Sequence, residues 1–322
     1  MKAIRIHQVG GPETMQLEEI PQPEPARGET RVRLEAIGVN YIDTYHRTGL
    51  YPLDLPFTPG IEGAGVVEEV GPSVEDVRVG DRVAFANSLG AYSEEKVVAA
   101  KNLAKLPEGM ESRTAAAAML QGITAHYLTR STFPLGPGNK VLVHAAAGGV
   151  GLLLVQLAKR FGATVFGTVS NTEKAEAARA AGADHVILYT QTDFATEVEK
   201  LTDGKGVDVV YDSVGKETYK RSMACLVTRG LLVLYGNASG PVPPIDPLTL
   251  GKAGSIFLTR PTVAHYTRDR REFLGRVEEI FSWIQSGELR LTIDRALPLS
   301  GAAEAHRLLE GRKTKGKLLL VP

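Results

Sequence analysis

The sequence predicts an α/β protein: a doubly wound parallel sheet joined to a second, mainly antiparallel β domain. Three observations carry that prediction. Strand-like and helix-like runs alternate through the centre of the chain, a small-residue turn opens that series at residues 146–151, and the first third reads as short β runs punctuated by Gly and Pro. A chain of 322 residues accommodates two domains, each with its own core.

In the first third, TRVRLEAIGV (30–39), AGVVEEVG (64–71), DRVAFA (81–86) and YSEEKVVAA (92–100) are separated by turns such as VGG, TPG and VGD. Short alternating runs of this kind predict a barrel-like antiparallel domain. From Lys140 the pattern changes. KVLVH, the small-residue turn and the helical LLLVQLAKRFG are followed by ATVFGTV and TEKAEAARAAG, HVILY and DFATEVEKL, VDVVYD and KETYKRSMACL, and finally GLLVLYG. Strands separated by helices imply right-handed βαβ crossovers and a sheet covered on both faces. After residue 259 come a helical pattern (268–285), the strand-like LTIDRALPL, a helix (301–310) and KLLLVP. This tail is too small for a core of its own and is expected to pack back on the first domain, leaving a cleft between two lobes. The expected domains are therefore residues 1–121 with 259–322, and residues 122–258. RDRR at 268–271 reads as a solvated helix start.

Apolar residues make up 43% and charged residues 23%, the balance of a folded chain rather than a disordered one. Lys and Arg (37) equal Asp and Glu (37), which argues against a nucleic-acid partner, since such proteins carry a basic excess to neutralise phosphates. One cysteine, Cys225, excludes an internal disulfide and any site needing two thiolates; in its helical pattern it reads as a core residue. With no export leader recognised at the start, the cytoplasm is the expected compartment. The most apolar stretch, 141–158, contains three glycines where a turn belongs, so it reads as two buried elements and not a membrane helix.

Ala146-Ala147-Gly148-Gly149-Val150-Gly151 is the G-x-G-x-x-G dinucleotide fingerprint with alanine in its first position. Such a turn needs little side chain because the backbone approaches a pyrophosphate, and the helix start favours the anion. A strand before it, a helix after it and a βαβ series around it supply the context of a Rossmann domain. An NAD site places a carboxylate at the end of the second strand, but here that end reads Gly167-Thr168-Val169-Ser170-Asn171 and Lys174 follows. With no carboxylate to repel it, a 2′-phosphate can be held by Ser170 and Lys174, so NADPH is the expected cofactor; the alternative leaves Lys174 a surface lysine. Ser213, Gly236 and Asn237 end later strands, where ligands collect at a switch point.

Over its whole length the chain resembles the medium-chain dehydrogenase/reductase superfamily, in particular its zinc-independent quinone oxidoreductase (zeta-crystallin-like) branch. The likeness rests on Gly60-Ile61-Glu62-Gly63-Ala64-Gly65, Val79-Gly80-Asp81-Arg82-Val83, His144 to Gly151 with Gln156 and Lys159, Asn40-Tyr41-Ile42-Asp43-Thr44-Tyr45 and Tyr211-Asp212-Ser213-Val214-Gly215. It implies a GroES-like catalytic domain beside the Rossmann domain. The superfamily's alcohol dehydrogenases have a metal-binding histidine where this chain has Ile61 and a metal-binding cysteine where it has Asn40. No His pair at i, i+3 or i, i+4 exists elsewhere, so no metal is expected.

The resemblance places Asn40, Tyr45 and Tyr51 near the nicotinamide or acceptor, where an amide or hydroxyl polarises the acceptor oxygen. A plain helix with Tyr41 packed on Tyr45 and an Asp43–Arg47 ion pair accounts for the same spacing. For the cofactor it carries over Asn40, Tyr41, Thr124, Tyr127, Gly148, Gly149, Val150, Ser170, Lys174, Tyr189, Thr259, Arg260 and Arg312. It also implies a homodimer paired through residues 255–258. Without a Lewis acid, hydride transfer to a quinone or other conjugated carbonyl is favoured over reduction of an isolated ketone, because the product anion is delocalised. Two alternatives stay open: an enoyl-thioester or alkenal reductase, and a non-catalytic NADPH-binding sensor or structural protein. No G-x-S-x-G elbow supports a hydrolase.

Overall fold

The computed structural model describes all 322 residues, which divide into two contact units, Met1–Ile123 with Thr267–Pro322, and Thr124–Tyr266. The second changeover falls at Thr267 rather than at residue 259. A reason is visible in the ring of Tyr266, which stacks on Tyr127 at 4.2 Å and 7° within the second unit.

The second unit is built on a six-stranded parallel sheet. Its order is His185–Leu188, Thr164–Val169, Lys140–Val143, Val207–Asp212, Leu226–Leu234 and Phe257–Thr259, so the chain runs outward in one direction and then in the other. The strand order is that of a dinucleotide-binding domain, with its switch point beside Lys140–Val143. Helices Gly149–Arg160, Thr172–Ala180, Phe194–Leu201 and Tyr219–Ala224 make the crossovers. The central strands are apolar at nearly every position because both faces are covered: Val141, Leu142, Val143, Val209, Val210 and Tyr211 are all fully buried. Cys225 is buried at the end of Tyr219–Ala224, and burial pushes its thiol up to about 12, so it stays protonated and inert.

The first unit holds a seven-stranded sheet around the long strand Glu29–Val39, which pairs antiparallel with Glu62–Val70, Glu95–Ala99 and Lys317–Val321. The tail thus joins this sheet directly: Leu318, Leu319 and Leu320 face Val39, Gly38 and Ile37 in register. Ile293–Pro298 adds in parallel at the edge, and helices Arg270–Gln285 and Ala302–Glu310 complete the tail. Arg270 is more than a solvated helix start, since it reaches the carbonyl oxygens of Ala100 and Lys101 and pairs with Asp76 at 3.1 Å. The core of this unit gathers Val32, Leu34, Val83, Phe85, Leu103, Leu318 and Leu320.

Candidate functional site

In the second unit, eleven of the sequence-predicted cofactor residues gather at the carboxyl ends of the parallel strands. Gly148 caps helix Gly149–Arg160 without a side-chain hydrogen bond, so no cap side chain takes up its first N–H groups, and Gly149 and Val150 lie in the first turn. Ser170 and Tyr189 follow neighbouring strands: Tyr189 donates its N–H to Val169 (3.2 Å) and Thr190 Oγ1 donates to the Ser170 carbonyl (2.9 Å). Lys174 lies in the first turn of helix Thr172–Ala180, its N–H held by Asn171 Oδ1 at 2.9 Å. Ser213 and the segment 236–238 are joined by the Ala238 N–H donating to the Ser213 carbonyl (3.1 Å). Thr259 ends the outer strand, with Arg260 next to it donating to the Pro261 carbonyl (3.1 Å). Thr124 and Tyr127 lie on helix Ser112–Tyr127.

Two glycines show how the turn tolerates alanine in its first position. A Cβ on Gly167 would lie 2.8 Å from Ala146 Cβ, so the neighbouring strand makes the room that the missing first glycine would have made. A Cβ on Gly151 would lie 2.2 Å from the Ala145 carbonyl oxygen, so helix and turn meet backbone to backbone. The shape fits a pyrophosphate, with small residues and N–H groups at a helix start, and the missing carboxylate at the end of the second strand fits a 2′-phosphate.

In the first unit, Asn40, Tyr41, Tyr45 and Tyr51 come together at helix Tyr41–Arg47. Tyr45 contacts Tyr41 at 6.2 Å and Tyr51 edge-on at 5.2 Å. Arg312, also in this unit, lies in the turn after helix Ala302–Glu310 at φ 57°. The Asp43–Arg47 ion pair does not form. Arg47, fully buried, pairs instead with Glu310 (2.6 Å), and Asp43 Oδ2 accepts from the Asn40 N–H (2.8 Å) and the Tyr92 hydroxyl (2.9 Å).

Residues that sequence reasoning did not single out surround Asn40. Its amide donates to Glu62 Oε1 (2.5 Å) and, more weakly, to the Gly38 carbonyl (3.4 Å), while its Oδ1 accepts from Lys317 Nζ (2.8 Å) and Gln121 (3.5 Å). Lys317 also binds Glu62 Oε1, and Glu62 Oε2 accepts from the Leu120 N–H (2.6 Å). Glu62 and Lys317 are 0% and 2% exposed. The only sequence signal was a lone charge inside each apolar run, GIEGAG and GKLLLVP. No group of three or more His, Cys, Asp or Glu side chains is placed to hold a metal ion.

Next to this cluster runs a buried chain of donors. Arg47 Nε donates to His306 Nδ1 (3.2 Å), which leaves the Nε2 hydrogen for the Tyr92 oxygen (3.1 Å), and Tyr92 donates onward to Asp43. With Arg47 and Lys317 already paired, burial dominates and raises the Asp43 carboxyl to about 7, against the Asn40, Tyr92 and Lys317 contacts that lower it. Burial, reinforced by Arg47, lowers His306 to about 3. The two groups act on stability in opposite senses. Asp43, raised, contributes stability that is full below its unfolded pKa of about 4 and lost as pH rises toward 7; His306, depressed, contributes a loss as pH falls below about 6.5. Relative to wild type, Asp43→Asn therefore gains unfolding free energy with rising pH between about 4 and 7, by about 1.4 kcal/mol per unit. His306→Gln loses it at a similar slope between about 3 and 6.5. Denaturant titrations across this range check both, and parallel curves for variant and wild type would contradict the assignment.

Two family models match the chain: "Alcohol dehydrogenase GroES-like domain" over residues 26–108 and "Zinc-binding dehydrogenase" over residues 149–282. The chain is 47% identical to a quinone oxidoreductase of Pseudomonas aeruginosa, covering 100% of this chain and 99% of that one. It is 46% identical to a 2-haloacrylate reductase of a Burkholderia species, covering 98% of each. Among solved structures, the Escherichia coli quinone oxidoreductase complexed with NADPH superposes with a TM-score of 0.98 at 43% identity and covers 100% of both chains.

Proposed function

Because the chain belongs to the quinone oxidoreductase branch of the medium-chain dehydrogenase/reductase superfamily, we propose that it is an NADPH-dependent reductase acting on a quinone or another conjugated carbonyl. The observation that carries this reading is the row of strand ends in the second unit. There the turn 146–151 opens onto a helix start without a side-chain cap, and the second strand ends in Ser170 and Lys174 rather than a carboxylate. When bound, NADPH supplies the hydride. The chain's part is to hold and orient. Gly148, Gly149 and Val150 receive the pyrophosphate on backbone N–H groups, and Ser170 and Lys174 receive the 2′-phosphate. Tyr189, Ser213, Gly236, Asn237, Thr259 and Arg260 flank these along the strand ends; Thr124, Tyr127, Tyr41 and Arg312 are further contacts proposed from the resemblance.

Lys174→Ala is expected to lower the NADPH-over-NADH ratio of kcat/KM by about tenfold or more, as for a lost charge-assisted hydrogen bond. An unchanged ratio makes Lys174 a surface lysine.

We assign the handling of the acceptor to Tyr45 and Tyr51. Asn40 supports them, since its amide hydrogens are directed to Glu62 and Gly38. Tyr51→Phe is expected to lower kcat by about tenfold or more with KM for NADPH unchanged, the signature of a lost polarising hydroxyl. Turnover equal to wild type leaves the ring with a packing role only.

The likeness to a 2-haloacrylate reductase favours a second reading in which the acceptor is an activated alkene. NADPH consumption with a small quinone, a 2-haloacrylate, an alkenal and a crotonyl thioester separates the two readings by the order of kcat/KM. Consumption with none of them would overturn both.

We also propose that the protein works in the cytoplasm as a homodimer. The outer strand Phe257–Thr259 ends the parallel sheet; Phe257 in it is 61% exposed and Leu248, in the preceding helix Pro247–Lys252, is 69% exposed, which suits pairing with a second copy. No helix is long and apolar enough to cross a membrane. A monomer by sedimentation equilibrium would contradict the pairing.

A further inference from the structure

Four fully buried polar side chains tie three strand ends together behind the small-residue turn. Ser222 Oγ donates to Asp212 Oδ2 (2.9 Å), so at His144 Nε2 (2.9 Å) it must accept, and the imidazole carries its hydrogen there. Nδ1 is then the acceptor for Thr168 Oγ1 (2.9 Å). Every donor in the chain Thr168, His144, Ser222, Asp212 points the same way and ends on a carboxylate. The ring is further fixed edge-on against Phe194 at 4.7 Å.

Each end of this chain holds a turn at a strand end that the NADPH reading assigns to the cofactor. At one end the Thr168 carbonyl accepts the Ala146 N–H (3.1 Å), the first bond of the turn 146–151. At the other, Asp212 Oδ1 accepts from the N–H groups of Val214 (2.8 Å) and Gly215 (3.0 Å) and from Thr218 Oγ1 (2.9 Å), shaping the turn that presents Ser213. Although it contains a serine, a histidine and an aspartate, the set is not a nucleophile triad. Serine lies between the other two and gives its proton to the carboxylate, and none of the three is more than 1% exposed.

We infer that His144 is a positioning residue for the cofactor: its imidazole locks the 146–151 turn and the 213–215 turn in one register, and NADPH binds the pair rather than either alone. The inference rests on the NADPH reading above. Burial keeps the imidazole neutral, as the chain of donors requires, with Asp212 opposing that shift and Arg221 adding to it.

The test is NADPH titration of the full chain by nicotinamide fluorescence, together with steady-state kinetics. His144→Phe fills the space without either hydrogen bond and is expected to raise the Kd for NADPH about tenfold, the effect of one or two lost hydrogen bonds, while kcat at saturating NADPH stays within about twofold. His144→Gln retains a donor toward Ser222 and is expected to recover part of that loss. Ser222→Ala cuts the link to Asp212 while leaving the ring in place; it is expected to weaken NADPH in the same sense and decides the matter if His144→Phe does not fold. A Kd within about twofold of wild type in the folded variants would show that the set only packs the core and would overturn the inference. Wild-type protein that binds no NADPH would instead overturn the cofactor reading itself, and the inference with it.

Discussion

Lys317→Met is expected to destabilise the first unit by about 3 to 5 kcal/mol, lowering its Tm by about 10 °C. The reason lies in what remains. Lys317 meets Glu62 and Asn40 Oδ1 where all three side chains are essentially out of water, and removing the ammonium leaves the buried Glu62 carboxylate with only two neutral donors, the Asn40 amide and the Leu120 N–H. An ion pair of this kind adds little over a well-packed apolar pair, but breaking it from one side is costly. The second substitution is therefore informative: Glu62→Gln in the Lys317→Met background keeps an acceptor for the Leu120 N–H, removes the stranded charge and is expected to recover a large part of the loss. Chemical denaturation of the two single variants and the double variant gives the coupling directly. A Lys317→Met protein within about 1 kcal/mol of wild type would contradict the buried contact's role in holding this unit together.

Gly151→Ala is expected to weaken NADPH binding by up to about a hundredfold. The added methyl would lie 2.2 Å from the Ala145 carbonyl oxygen and 2.9 Å from backbone atoms of Ala146, so helix and turn must part. No flexible side chain is there to give way, and overpacking of this kind costs up to about 3 kcal/mol, which is about a hundredfold in affinity. Gly275→Ala, in helix Arg270–Gln285 with nothing within 4 Å of the new methyl, is the control and leaves binding unchanged. Equal NADPH affinity in Gly151→Ala and wild type would show that the close packing of helix on turn does not shape the cofactor site.

The second unit was legible from sequence because parallel strands covered on both faces read as unbroken apolar runs between glycine-marked turns, as in VDVVYD and GLLVLYG. Helix Ser112–Tyr127 was not, for a related reason: Ala115 to Leu120 are buried on every side, so the run lacks the polar face whose period betrays a helix. The ribbon of Lys2–Ile6 with Met15–Glu19 also escaped notice, being two five-residue strands that form a sheet of their own, tied to the rest by isolated bridges at Ser93 and Phe57. At the candidate site, local spacing pointed the wrong way for Asp43 and Arg47. An i, i+4 pair was available on the helix, yet Arg47 pairs with Glu310, 263 positions distant, because the tail helix covers it. Glu62 and Lys317 are separated by 255 positions, and no pattern along the chain records a contact made by closing a sheet with its last strand.

The most direct measurement of the whole account is anaerobic mixing of chelator-treated protein with NADPH and a small quinone, following nicotinamide oxidation and hydroquinone formation together. The account predicts metal-independent turnover, one hydroquinone for each NADPH consumed, and slower turnover with NADH at equal concentration. NADPH that binds but is not oxidised in the presence of any quinone or activated alkene would contradict it and leave a cofactor-binding protein without this chemistry.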